Sequence, residues 1–187
     1  MFKHLLHSLP GKILFLAAIA LLTLIAIVGI RSAVAGNEPA STQTVGWVEN
    51  VKMTNIEFPI EAKLDTGATT TSLNAEILEK PSDEVESGGL VRFNFVDGEG
   101  NKTLFERPLT RWVDIKGEGR RPVVQMSFCL AGEWVEGEVN LAERDQFNYA
   151  VLVGRNLLKE RRLAVDSAQT FTLPDSSQRA CEQEESE

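Results

Sequence analysis

Ala62-Lys63-Leu64-Asp65-Thr66-Gly67-Ala68 is the stretch on which the fold turns. An alternating apolar strand end runs into an acid, a hydroxyl and a glycine, followed by the small polar residues Thr69, Thr70, Thr71 and Ser72. Gly67 has no Cβ, so the backbone there can turn tightly and another chain can approach closely. Asp65 is expected at the mouth of that turn, its carboxylate held by neighbouring N–H groups and the Thr66 hydroxyl. A single acid is half of a catalytic unit. Two carboxylates about 3 Å apart cannot both ionise, so they share a proton, and one serves as base while the other stays acid. Such a pair activates a water and polarises a peptide carbonyl without a metal or a covalent intermediate. The Asp-Thr-Gly triplet occurs once, so the second carboxylate has to come from a second copy of the chain.

A second run strengthens the reading. In Ala150-Val151-Leu152-Val153-Gly154-Arg155-Asn156-Leu157-Leu158 an apolar strand ends in glycine, and Arg-Asn with a leucine pair opens a short helix. The two runs in this order resemble the retropepsin family of aspartic proteases, and more narrowly bacterial relatives that carry the label of ATP-dependent zinc proteases. The resemblance covers about residues 45–173. It implies a homodimer in which Asp65 of each chain holds the attacking water. Thr66 braces the paired loops, Gly67 and Ala68 present backbone to an extended peptide, and Gly154, Arg155 and Asn156 support the catalytic loop. It also implies a flap hairpin just before the last strands, with its tip near residues 116–120 at Gly117, Glu118 and Gly119. Glycines suit a tip that has to open and close. In retroviral enzymes the arginine of the second run pairs with an acid directly after the first. Thr69 and Thr70 occupy those places here, so Arg155 needs another partner.

The labels of zinc and ATP find no residues to support them. Both histidines, His4 and His7, precede the apolar N-terminal run, and neither HExxH nor a phosphate-binding GxxxxGK[ST] loop occurs. No cofactor or metal is therefore expected. Serine or cysteine catalysis lacks a histidine base within the domain. A net charge of −8 with no basic face argues against a nucleic-acid partner. The rival to an enzyme is a non-catalytic module of the same fold that holds peptides.

The remaining organisation follows from patterning. The chain has 187 residues, 43% hydrophobic and 25% charged, which suits one globular domain with flanking ends. Residues 13–30 form an uncharged run long enough to span a membrane. Lys3 and Lys12 before it favour residues 1–12 inside and the domain on the periplasmic side. The alternative is a signal peptide cleaved near residue 35, after Ala33-Val34-Ala35, and a secreted product. Residues 31–44 read as a linker, 45–173 as the protease domain, and 174–187 as an acidic disordered tail. Cys129 and Cys181 either bridge, given an oxidising compartment, or stay as a buried strand thiol and a loose tail thiol.

Within the domain, strands are expected around Val45–Val48 and Ile56–Leu64, then one or two helical turns over Leu73–Glu79. A hairpin follows, Leu90–Val96 and Lys102–Arg107, turning at Asp97–Asn101. Next come a second hairpin, Leu109–Lys116 with Arg121–Leu130, and a strand over Trp134–Leu141. Many short strands, Gly-rich turns and one or two short helices predict an all-β closed acid-protease barrel, preceded by the N-terminal transmembrane helix. The spacing between the two runs exceeds that of retroviral enzymes, an excess ascribed to an insertion over Ser82–Arg107.

Overall fold

The computed structural model describes residues 41–117, 119–143 and 148–184. The expected membrane span, the cytoplasmic end, most of the linker and Glu118 lie outside these residues. Among the described residues no helix is long and apolar enough to cross a membrane.

Strand β1 (Gln43–Gly46) leads into β2 (Val48–Met53), and Thr54 and Asn55 turn the chain toward β3 (Ile60–Leu64). Asn55 takes a positive φ of 68°, a conformation its short polar side chain tolerates better than most. In β3 the residues Ile60, Ala62 and Leu64 are buried while Glu61 and Lys63 face outward, the period of two expected of a half-buried strand. β4 (Thr71–Glu79) follows directly from the Asp65 loop. β8 (Gly119–Leu130), β9 (Glu133–Ala142) and β10 (Val151–Val153) complete a ring, in which β10 pairs with β3, β3 with β2, β2 with β8, β8 with β9, β9 with β4 and β4 again with β10. The result is a closed six-stranded barrel. Closure leaves no strand edge exposed within the ring. Its interior is packed by Leu64, Leu73, Val124, Met126, Phe128, Val139, Leu141, Val151 and Val153.

The two hairpins lie outside that ring. β5 (Leu90–Val96) and β6 (Lys102–Pro108) extend the sheet from the far half of β4, with Ala75 opposite Phe95 and Ile77 opposite Phe93. Phe93 and Phe105 stack across this pair at 5.7 Å between centroids. The expected insertion thus adds a hairpin beside the barrel and leaves the ring intact. Its tip is closed by Asp97, whose carboxylate accepts from the N–H groups of Glu99 and Asn101 and from the Asn101 side chain at 2.8–2.9 Å. Desolvation pushes that carboxyl up, but the Asn101 side chain and the N–H groups of Asn101, Glu99 and Gly100 together outweigh it and hold it below its ordinary value. β7 (Arg111–Ile115) pairs only with the first part of β8, turning at the positive-φ glycines Gly117 and Gly119.

Two expectations are corrected. Leu73–Glu79 belongs to a strand, not to helical turns. Leucine, alanine and glutamate there favour a helix, but Leu73 and Ala75 alternate inward, and β9, β10 and β5 claim the backbone from both sides. The tail is ordered further than its composition suggests, since Asp175–Glu184 form a helix. This helix, α2, follows α1 (Arg155–Glu160) and is clipped to β8 by a Cys129–Cys181 disulfide with Cα atoms 6.1 Å apart. The Trp134 indole N–H also donates to the Cys181 carbonyl at 3.2 Å.

A short strand that patterning did not reveal, β11 (Leu163–Asp166), runs parallel to β1. The segment after it returns over the barrel, held by Glu49. That carboxylate is 1% exposed, and it accepts from Gly46 N–H, Thr172 N–H and the Thr172 hydroxyl on Oε1 and from Leu173 N–H on Oε2. A buried carboxylate is tolerable only when such donors replace water.

Candidate active site

β3 and β10 run parallel with Leu64 beside Val153, so the two sequence runs leave the barrel at the same level. Asp65 N–H donates to Val153 O at 2.9 Å, Arg155 N–H to Ala68 O at 2.9 Å, and Asn156 N–H to Thr69 O at 3.2 Å. The loop 65–70 is therefore laid along 153–156 by main-chain bonds at three levels. Its own turn closes from Ala68 N–H to Asp65 O, and Gly67 N–H donates to Asp65 Oδ1 at 2.8 Å. The Asp65 side chain is 29% exposed, at the mouth of the turn as expected. The Thr66 hydroxyl is not among the groups bonded to it; Gly67 N–H and the Lys63 ammonium are, the latter at 3.7 Å from Oδ2.

Gly154 is required by close approach. A Cβ there would lie 2.7 Å from the Thr70 carbonyl carbon and 2.9 Å from Thr71 N, which are backbone atoms that cannot swing away. Its N–H donates to the Thr71 hydroxyl at 3.1 Å. Asn156 completes the bracket: Oδ1 accepts from both Thr71 N–H and the Thr71 hydroxyl, and Nδ2 donates to Glu138 O on β9. From the other side, Asn140 Nδ2 donates to Thr71 O and its Oδ1 accepts from Ser72 Oγ. Thr71 is thus the junction at which the loop, β4, β9 and the second run meet.

Arg155 finds its partner within its own chain. Nη1 donates to the carbonyls of Thr66 and Gly67 at 2.9 and 3.2 Å, and Nη2 to the Thr69 hydroxyl at 3.0 Å. A planar guanidinium with five donors suits this gathering of two carbonyls and a hydroxyl, where an ammonium would not span them. The threonine standing where an acid was expected therefore still engages the arginine, through its hydroxyl.

The structure brings together Asp65, Thr66, Gly67, Ala68, Gly154, Arg155 and Asn156. Gly117 and Gly119 sit at the tip of the β7–β8 hairpin, where Arg120, directly after Gly119, lays its guanidinium over Trp112 at 5.4 Å. Residues that motif reading passed over are Thr71, Glu138, Asn140 and Lys63. For Thr71 the signal was weak, the third of three threonines in a row. For Lys63 it was available: it stands on β3 two residues before Asp65, the first residue after that strand, near enough for the two side chains to meet. Among the described residues, no three His, Cys, Asp or Glu side chains come together to hold a metal ion.

Comparison with known proteins agrees with this architecture. Residues 44–176 match the model of the RimB-like family, described as retropepsin-like aspartic endopeptidase RimB. A Legionella pneumophila crystal structure of a protein of unknown function (DUF785) is 32% identical with a TM-score of 0.61, over 72% of this chain and 100% of that one. No curated protein matches. The chain belongs to the RimB-like family of retropepsin-like proteins.

Proposed function

We propose, from that family membership, that the chain is an aspartic endopeptidase active as a homodimer, with one Asp65 from each copy sharing a proton around the attacking water. The observation that carries this reading is the placement of Asp65. It follows the last residue of β3 on a turn backed by Gly154, Arg155 and Asn156, with Oδ1 fixed by Gly67 N–H and the side chain open to its surroundings. A carboxylate held in one orientation and left accessible is what a dyad needs from each half. The extended substrate would add as a strand beside the loop, with Gly67 and Ala68 offering backbone groups and the Gly117–Gly119 tip closing over it. No metal and no cofactor enter this chemistry.

Residues 13–30 would anchor the protein in the membrane, with the domain on the periplasmic side. The Cys129–Cys181 bond supports an oxidising compartment, since such bridges rarely persist in the cytosol. Anchoring would raise the effective concentration of two copies in the membrane plane and favour a weak dimer.

Asp65→Asn is the deciding variant. Loss of casein cleavage with an unchanged fold supports the dyad, and full activity in the variant ends the reading. The mass of the chain in solution, with and without a peptide transition-state mimic, tests the dimer. A peptide-binding module without turnover is the second reading. It is favoured by Arg155, whose guanidinium is engaged by its own loop and so gives the dimer no ion pair of the retroviral kind. Binding of the mimic without cleavage of any denatured protein distinguishes it.

A further inference from the structure

The segment 80–89, between β4 and β5, closes on itself and is bonded to the β7–β8 hairpin at two levels. A Cβ at Gly89 would stand 2.3 Å from Pro81 Cγ, so the two ends of the segment meet. At the foot of the hairpin Gly88 N–H donates to Leu109 O at 2.7 Å, and Leu109 N–H to Gly89 O at 2.6 Å. Further out, the Trp112 indole N–H donates to Val85 O at 2.8 Å. Arg120 Nη1 donates to Asp83 O at 3.0 Å, and its Nη2 lies 3.6 Å from Glu86 Oε2. Trp112 is 7% exposed although it stands outside the barrel ring, and the Lys80 ammonium and the Arg120 guanidinium lie over its ring at 5.1 and 5.4 Å. Among the described residues β8 is the only strand paired with β7, and two strands alone make a marginal structure. The segment supplies a further support. The hairpin is also tied to the bracket around the Asp65 loop. Arg111 on β7 grips the Glu138 carboxylate at 2.7–3.2 Å, and Arg121 Nη1 donates to Asn140 Oδ1 at 3.4 Å. Glu138 O and Asn140 Nδ2 in turn hold Asn156 and Thr71.

We infer that the 80–89 segment is a brace for this hairpin, and that Trp112 and Arg120 are positioning residues. Through them the brace holds the Gly117–Gly119 tip in the pose that closes on an extended peptide. This rests on the endopeptidase reading above, in which that tip folds over the substrate. Gly117 and Gly119 each take a φ of 86°, and glycine restrains the backbone least, so the tip owes little of its rigidity to its own residues. A hairpin free to swing has to be ordered each time a peptide binds, and that ordering lowers affinity. A hairpin braced beforehand avoids the cost. Loss of the brace therefore shows in how long a peptide stays bound, since variants of one interface differ chiefly in dissociation.

The test compares the full-length chain with Trp112→Phe, Arg120→Gln and, as a control, Arg107→Gln. Trp112→Phe keeps an aromatic ring but has no N–H for Val85 O, and Arg120→Gln removes the guanidinium from Asp83 O and Glu86. The control removes a guanidinium that lies over Phe105 and donates to Glu106 O, not to the 80–89 segment. Two quantities are followed: deuterium exchange of residues 111–121 in the unliganded chain, and the association and dissociation rates of a hydroxyl-bearing peptide transition-state mimic. The expected result is faster exchange in both brace variants and dissociation of the mimic accelerated about fivefold, the worth of one ordinary hydrogen bond, with association unchanged. Faster exchange with native dissociation rates overturns the inference, because the brace then holds the hairpin without holding a peptide. Native exchange in both variants overturns it as well. Equal acceleration in Arg107→Gln assigns the effect to lost charge and overturns it too. A native chain that neither cleaves denatured casein nor binds the mimic overturns the endopeptidase reading beneath it. The Arg120 side chain is 32% exposed, so Arg120→Gln keeps the comparison decisive if Trp112→Phe does not fold.

Discussion

Asn156 and Thr71, separated by 85 positions in the chain, are joined by two hydrogen bonds to one oxygen: Asn156 Oδ1 accepts from Thr71 N–H and from the Thr71 hydroxyl, each at 2.9 Å. The same side chain donates through Nδ2 to Glu138 O at 2.8 Å. One amide therefore fixes the end of the Asp65 loop to the start of α1 and to β9. It does so with both its donor and its acceptor in use.

Asn156→Asp isolates the donor half of that bracket. The variant keeps the shape and the acceptor facing Thr71, but it places a second carboxylate oxygen against the Glu138 carbonyl. A part-buried mismatch of this kind costs about 1–2 kcal/mol. The expected outcome is an unfolding free energy, from urea titration, lowered by that amount, with casein cleavage reduced further than the folded fraction accounts for. A variant within about 0.5 kcal/mol of the native chain would show that Asn156 is not the clamp its bonds suggest.

Glu49 makes a second long-range tie, this time between β2 and the chain after β11. Glu49→Gln exchanges one acceptor oxygen for an amide that itself donates. Since the donors are Gly46 N–H, Thr172 N–H and hydroxyl, and Leu173 N–H, either orientation of the amide leaves a donor facing a donor. The expected loss is about 2–3 kcal/mol, accompanied by faster proteolytic nicking within 166–173. Nicking unchanged from the native chain would place the anchoring of this segment elsewhere.

What could be read in the chain without its structure was the local chemistry. Asp65–Ala68 and Gly154–Asn156 announce themselves because a turn, a close backbone approach and a helix start each need particular residues in a row. The Asp97–Asn101 turn is legible for the same reason. β4 was not, because Leu73-Asn74-Ala75-Glu76-Ile77-Leu78-Glu79 suits a helix as well as a strand, and only β9, β10 and β5 on its flanks decide between them. Nor was β11, four residues long, whose parallel partner β1 lies more than a hundred residues earlier. Helix α2 was hidden by its own polarity. Ala180 and Cys181 are its apolar content, and a covalent bond takes the place of an apolar face.

The Asp97 turn carries a pH dependence. Its carboxyl is lower in the folded chain than its ordinary value, so the charged form is the one that folding favours. The stabilisation is complete above the unfolded-state value of about 3.9 and is lost as the pH falls through the lower folded-state value. Asp97→Ala removes the acceptor for Glu99 N–H, Asn101 N–H and Asn101 Nδ2, and is expected to cost about 1–2 kcal/mol at neutral pH. The gap between variant and native midpoints should narrow below about pH 4. A gap that stays constant from pH 7 to pH 3 would mean the turn is held by shape alone.

The disulfide offers the most direct test of how the C-terminal helix is held. α2 packs beside β8 and β9 near Gly132, yet its sequence Asp-Ser-Ser-Gln-Arg-Ala-Cys-Glu-Gln-Glu has almost nothing to bury. An isolated helix of ten residues is marginal in water, so the Cys129–Cys181 bond and the Trp134 contact have to supply its stability. The bond closes a loop of 52 residues, for which about 2–4 kcal/mol is expected. Cys181→Ser should lower the unfolding free energy from urea titration by that amount, reduce helical circular dichroism, and shift Trp134 fluorescence as its N–H loses the Cys181 carbonyl. The barrel closes through β10 and β4 without this helix, so casein cleavage by the folded variant should persist. If activity disappears while the barrel's strand signal remains, the helix has a part in the site or in the pairing of two chains. Retention of all the helical signal would show instead that packing alone is enough to hold it.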